Sequence, residues 1–106
     1  MGFFAFFKRP DINSGFKQYK LTENAILLDV RTDEEFQGGH LPESVHLELN
    51  RLYQAEKLFP NRKTPLFVYC HSGARSARAV SALQAIGFTD VQNIGGISNW
   101  HGEIER

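Results

Sequence analysis

The sequence predicts an α/β domain built on a central, mostly parallel sheet with helices on both faces. Three observations predict it. Residues 25–30 and 66–69 are apolar almost without alternation, the pattern of strands buried on both sides. Segments with helical spacing fall between such runs, so strand and helix alternate along the chain. The 106 residues fit one domain, with no internal repeat, linker or low-complexity stretch.

Residues 1–11 read as a Phe-rich N-terminal extension and residues 12–106 as the domain proper. In the extension Phe3, Phe4, Phe6 and Phe7 stand beside Lys8 and Arg9. The run is too short for the apolar region of a secretory signal, and its charges lie on the wrong side. Phe6 also occupies the position where a myristoylation signal has Ser or Thr. Aromatic patches usually mark contacts, so packing on the domain or on a second copy is the favoured reading. Contact with a membrane surface through the four Phe residues and the two cations is the less favoured one.

From residue 12 the chain reads as follows. Residues 12–21 predict a helix capped by Asn13 or Ser14 and weakened by Gly15 in its first turn. Residues 25–30 predict a buried strand. Thr32 and Glu35 form a capping box that opens a short helix, which Gly38-Gly39 ends. His40-Leu41-Pro42 makes a turn and residues 44–47 a short strand. Asn50 then caps a helix carrying Leu52, Ala55 and Phe59, stopped by Pro60. Residues 65–69 form the strand that leads to Cys70. The next helix places Ala77, Val80, Leu83 and Ile86 on one face and stops at Gly87. Residues 88–94 make a last strand, broken by Gly95-Gly96, and Ile97, Trp100 and Ile104 share a face of a final short helix.

In open α/β sheets ligands bind beyond the carboxyl ends of the strands, so Asp29, Cys70 and Gly95 should line one rim. Cys70 is the only cysteine in the sequence. A free cysteine is ordinarily a small buried hydrophobe, but this one ends a strand and precedes a loop whose far side is a helix start. Amide N–H groups of a first helical turn lack partners within the helix, and the dipole adds roughly half a positive charge there. Arg75, Arg78 and His71 contribute further positive charge. A thiol in that field loses its proton below its free value of roughly 8.5, and the thiolate is the nucleophile. The residues therefore point to a thiolate enzyme acting on a small oxyanion. Asp29 and Arg31 read as a structural pair bracing the rim, and His40 as a hydrogen-bonded turn residue. His71 should face solvent or line the approach to the thiol. Trp100 reads as a core or rim anchor, and His46 and His101 as packing or surface residues.

Other classes are disfavoured. The formal net charge is zero and Lys and Arg are scattered, which argues against a nucleic-acid surface. Four separated histidines and one cysteine do not make a zinc pattern. A single cysteine allows no internal disulfide, so the fold needs no oxidising compartment and a cytoplasmic location is expected. The same fact removes any internal thiol that could resolve a persulfide. Cysteine phosphatases place five residues between Cys and Arg, which makes room for a tetrahedral phosphate. Here four residues, His71 to Ala74, separate Cys70 from Arg75, and the cradle is one residue too tight. A Cys-dependent phosphatase or arsenate reductase is thereby the least favoured alternative; hydrolysis of an aryl phosphate, lost on Cys70→Ser, would revive it.

Three separated stretches carry a resemblance. They are Leu28-Asp29-Val30-Arg31 with Glu35-Phe36 and Gly39-His40-Leu41-Pro42, then Cys70-His71-Ser72-Gly73-Ala74-Arg75-Ser76, then Gly95-Gly96 with Trp100. Together they resemble the single-domain members of the rhodanese family of sulfurtransferases over roughly residues 12–102. Glu43 departs from the family's usual glycine after the proline. The resemblance implies a rhodanese-like domain in which Cys70 is the catalytic nucleophile and His71, Ser72, Gly73, Ala74, Arg75 and Ser76 bind substrate, with Asp29 and Arg31 in support. It implies thiosulfate or another sulfane donor, a Cys70 persulfide, and transfer to cyanide, an external thiol or a protein acceptor, with no cofactor and no metal. A persulfide carrier fed by a protein donor, such as a cysteine desulfurase, is the alternative that needs the same loop.

Overall fold

The structure is a computed structural model and describes residues 9–106. Phe3, Phe4, Phe6 and Phe7 lie outside the described residues. Among the described residues no helix is long and apolar enough to cross a membrane.

Helix α1 (Ile12–Leu21) is followed by strand β1 (Ile26–Asp29), helix α2 (Asp33–Gly38) and strand β2 (Val45–His46). A 3₁₀ segment (Leu49–Gln54) runs into the one-turn helix α3 (Ala55–Leu58), then strand β3 (Leu66–Cys70), helix α4 (Ala74–Ile86) and strand β4 (Val91–Gly96). All four strands are parallel, in the order β2-β1-β3-β4. Parallel neighbours need crossovers, and the helices that supply them cover both faces.

β3 shows how the apolar run is used. All five of its residues are buried, and because side chains alternate along a strand they divide between two cores. Leu66, Val68 and Cys70 join Leu28, Val30, Leu52, Ala79, Leu83 and Phe88 beneath α3 and α4. Phe67 and Tyr69 join Ile12, Leu27, Leu41 and Ile94 beneath α1, with Phe16, Tyr19 and Trp100 at its margin. Fully burying a side chain such as Leu83 is worth about 1.5–3 kcal/mol, which makes these two layers the main hold on β3 and on the cysteine at its end.

Several elements differ from the sequence expectation. The cap of α1 is Asp11, not Asn13 or Ser14: its carboxylate accepts from Asn13 N–H at 3.1 Å and Ser14 Oγ at 2.9 Å. Gly15 is not a weakness there, because a Cβ at that position would overlap the side chain of Ile94; its bareness lets α1 lie directly on β4. Asn50 does not cap a helix; it lies inside the 3₁₀ segment, whose cap residue is Glu48, although Leu52, Ala55 and Phe59 are buried as expected. The inward face of α4 is Ser76, Ala79 and Leu83, flanked by Val80, Ala82 and Ile86, and Ala77 is exposed. A serine among apolar neighbours breaks the three-residue pattern, and its hydroxyl has a partner inside.

Gly95-Gly96 does not end β4. The strand runs through both, with a register shift that pairs Val68 with Asn93 and Tyr69 with Gly95, leaving Ile94 as the extra residue of a bulge. No terminal helix follows: Ile97–Asn99 is a single 3₁₀ turn, and residues beyond it run to a bridge between Glu105 and His40. Ile104 is partly exposed.

Candidate active site

The carboxyl ends of β1, β3 and β4 meet at one rim, and Cys70 sits at its centre. The residue exposes essentially no surface. Its sulfur is nonetheless ringed by polar hydrogen. Gly73 N–H donates to Cys70 Sγ at 3.0 Å and Ser76 Oγ lies 3.4 Å away. Burial pushes the thiol up. The Ser76 hydroxyl and the main-chain N–H groups of Ser76, Gly73 and Ser72 pull it down further, and the result lies below an ordinary thiol.

The loop that delivers these donors is clamped from several sides. Gly73 C=O receives the Asn93 side-chain amide at 3.1 Å and Ala77 N–H at 3.1 Å. His71 C=O receives Ser98 N–H at 3.1 Å. Gly96 lies against the loop so closely that a Cβ would overlap His71 O and come within 2.6 Å of Ser72 Cα. His71, Ser72 and Ala74 are exposed on the loop, while the cysteine that precedes it is buried.

Arg75 is not free over the thiol. Its guanidinium forms a two-pronged pair with Glu35, Nη1 to Oε1 at 2.7 Å and Nη2 to Oε2 at 2.9 Å. Glu35 is held for that purpose by the capping box of α2: it accepts Thr32 N–H at 3.0 Å while Thr32 Oγ1 accepts Glu35 N–H at 3.2 Å. The Arg75 hydrogen bonds, helped by Thr32, hold the Glu35 carboxyl down at about 2. Arg78 is exposed and, with Arg75, Val30, Thr32, Leu49 and Asn50, lines a cleft of about 440 Å³ beside the pair.

A pH dependence follows. The folded Glu35 carboxyl titrates below its ordinary value of 4.5, so its contribution to stability is full above about 4.5 and is lost as pH falls toward about 2. Glu35→Gln is expected to lose stability less steeply than the wild type between those limits, read as urea midpoints at successive pH values. Parallel curves would show that the pair is not formed.

Asp29 and Arg31 are both buried and form a closed unit, with Arg31 Nη2 on Asp29 Oδ2 at 2.8 Å and on Gly39 C=O at 2.7 Å. Arg31 N–H also donates to Asp29 Oδ1 at 2.9 Å. The pair's side-chain bonds run within the pair and to Gly39 C=O, and none reaches the Cys70 sulfur. His40 sits in the same turn, stacked on Phe36 at 3.9 Å and hydrogen-bonded around Leu41 and Ser44. Among the described residues no cluster of three or more His, Cys, Asp or Glu side chains is arranged to hold a metal ion.

Two residues at the rim were not singled out as site residues from the sequence. Glu35 reads from the sequence as a helix cap and as part of the family resemblance; its place one turn into the element after β1 is the signal for a site role. Asn93 was passed over inside a strand, although a polar residue two positions before the Gly95-Gly96 pair, at a carboxyl strand end, faces the same rim.

The structure is a parallel α/β sheet with one thiol buried at a strand end, inside a loop whose main-chain N–H groups and one hydroxyl face the sulfur. The match to known proteins narrows the class. The chain belongs to the rhodanese-like domain family, whose model matches residues 14–103. It is 37% identical over 79 residues to thiosulfate sulfurtransferase GlpE of Pseudomonas savastanoi pv. phaseolicola, covering 74% of each chain. To the putative sulfur carrier protein YrkF of Bacillus subtilis it is 34% identical over 100 residues, covering 91% of this chain and 53% of that one. A crystal structure of a rhodanese-like domain protein from Staphylococcus aureus superposes with a TM-score of 0.78 at 28% identity, covering 91% of this chain and 94% of that one. Some relatives are longer: the chain spans 64%, 21% and 53% of three that it matches.

Proposed function

We propose that the protein is a sulfurtransferase that moves sulfane sulfur from thiosulfate, or a similar small anionic donor, through a persulfide on Cys70 to cyanide or a thiol. The observation that carries the reading is the Gly73 N–H aimed at Cys70 Sγ from 3.0 Å, at the mouth of a loop with four residues between Cys70 and Arg75. Donors of this kind stabilise the thiolate before reaction and the anionic persulfide after it.

In the loading step the Cys70 thiolate attacks the outer sulfur of thiosulfate. The new S–S bond forms on Sγ, the old one breaks, and its electron pair leaves with sulfite; three negative charges stand on each side. In discharge the acceptor attacks the outer sulfur and Cys70 is released as thiolate, so turnover is ping-pong. With Arg75 neutralised by Glu35, holding the incoming anion falls mainly to main-chain N–H groups of the loop. No second cysteine is present, so the acceptor thiol is external.

Intact-mass measurement after mixing with thiosulfate tests this. The wild type is expected to gain the mass of one sulfur atom while sulfite appears, and cyanide is expected to remove it as thiocyanate. No added mass would overturn the reading.

A carrier reading draws support from the buried sulfur and the neutralised Arg75, which suit delivery by a docked protein better than diffusion of a free anion. Very low kcat/KM for thiosulfate together with rapid sulfur uptake from a cysteine desulfurase persulfide would favour it.

A further inference from the structure

Among the described residues the Ser76 hydroxyl is the one side-chain donor on the sulfur, and three acceptors compete for its single proton. Ser76 has no exposed surface. Its Oγ stands 2.7 Å from Asn93 Oδ1, 3.1 Å from Gly73 C=O and 3.4 Å from Cys70 Sγ. A hydroxyl carries one hydrogen, so only one of these can be a full bond at a time.

The Asn93 amide cannot turn over to change that choice. Gly95 N–H donates to its Oδ1 at 2.9 Å, and its Nδ2 donates to Gly73 C=O at 3.1 Å. A flipped amide would face donor to donor and acceptor to acceptor. The Asn93 oxygen is thus a fixed acceptor, and it holds the Ser76 proton whenever the sulfur is neutral. An anionic sulfur competes better, because hydrogen bonds to charged groups are the stronger ones.

We infer that Ser76 is a catalytic residue of the discharge half-reaction, shifting its proton from Asn93 to Cys70 Sγ as that sulfur becomes the leaving group, with Asn93 as the positioning residue. The inference rests on the sulfurtransferase reading. In the persulfide the charge sits on the outer sulfur and Sγ needs no donor. When cyanide attacks, a C–S bond forms, the S–S bond breaks and its electron pair stays on Sγ, so the charge arrives where Ser76 stands; two negative charges are present before and after. A leaving thiol of lower pKa departs faster. Loading gains no such help, because the bond that stabilises the thiolate also lowers its nucleophilicity.

The two half-reactions therefore respond differently. Each is followed by quenched intact mass in single turnover, thiosulfate loading the protein and cyanide unloading it, about two pH units above each variant's thiol midpoint. Ser76→Ala is expected to raise the midpoint of iodoacetamide alkylation by about one unit. It should slow discharge about fivefold to tenfold and speed loading by about threefold. Asn93→Ala removes the competing acceptor, so the midpoint is expected to fall and discharge to quicken, whereas mere loss of the Asn93 clamp on Gly73 C=O would raise the midpoint. A wild type that loads and discharges, beside a Ser76→Ala variant that discharges equally fast or loads as much more slowly, overturns the role of Ser76 alone. A wild type that takes up no sulfur overturns the sulfurtransferase reading with it, and the alkylation midpoints still decide whether the Ser76 bond to the sulfur exists.

Discussion

Cys70→Ser is expected to abolish sulfur uptake while leaving the domain folded. Neither an added mass with thiosulfate nor thiocyanate formation should exceed background, because a serine hydroxyl is a far weaker acid and nucleophile than a thiol whose pKa this loop lowers. The fold should tolerate the change. Cys70 is a small buried residue already facing Gly73 N–H and the Ser76 hydroxyl, so the new hydroxyl enters a place with partners rather than pure hydrocarbon. A melting temperature within about 8 °C of the wild type, roughly 1 kcal/mol for a domain of this size, is the expected reading in a thermal scan. Residual turnover in this variant would place the chemistry elsewhere.

Gly96→Ala should be nearly as damaging to activity by a different route. The added methyl has nowhere to go: it overlaps His71 O and approaches Ser72 Cα, both main-chain atoms of the loop that carries the donors. Either β4 moves away from Cys70, its pairing partner, or the loop swings outward. Both displace N–H groups from the sulfur, and a shift on the order of 1 Å at a reacting centre costs about a hundredfold in rate. Overpacking of this kind also costs about 1–3 kcal/mol in stability. The check is kcat/KM for thiosulfate beside a urea midpoint. Wild-type activity would mean that the close approach of β4 and the loop does not hold the site together.

How the site was legible follows from these contacts. The α/β class, the buried character of β1 and β3, the capping box of α2 and the position of Cys70 all depend on neighbours in sequence or on strong periodicity, and these can be read along the chain. The rest depends on approach between distant segments. Gly15 looked like a defect in α1 until Ile94 was seen beneath it, 79 positions away in number. Gly95-Gly96 reads as a strand breaker by propensity, yet the bulge at Ile94 lets the strand continue and press on the loop. The cap falls to Asp11 because three polar residues around Ile12, Asp11, Asn13 and Ser14, compete for the role and only backbone geometry decides. Arg75 was expected to face the substrate; its pairing with Glu35, 40 positions earlier, belongs to tertiary structure. The hydroxyl of Ser76 was legible as part of the loop, whereas its partner Asn93 was not.

The central claim is that main-chain and hydroxyl donors hold Cys70 as a reactive thiolate despite its burial. Its most direct measurement is the rate of iodoacetamide alkylation of the native protein as a function of pH, followed by intact mass. The expected result is modification of the single thiol with a midpoint below about 8.5, the value of a free cysteine. A midpoint at or above that value, or a thiol that reacts only after unfolding, would contradict it.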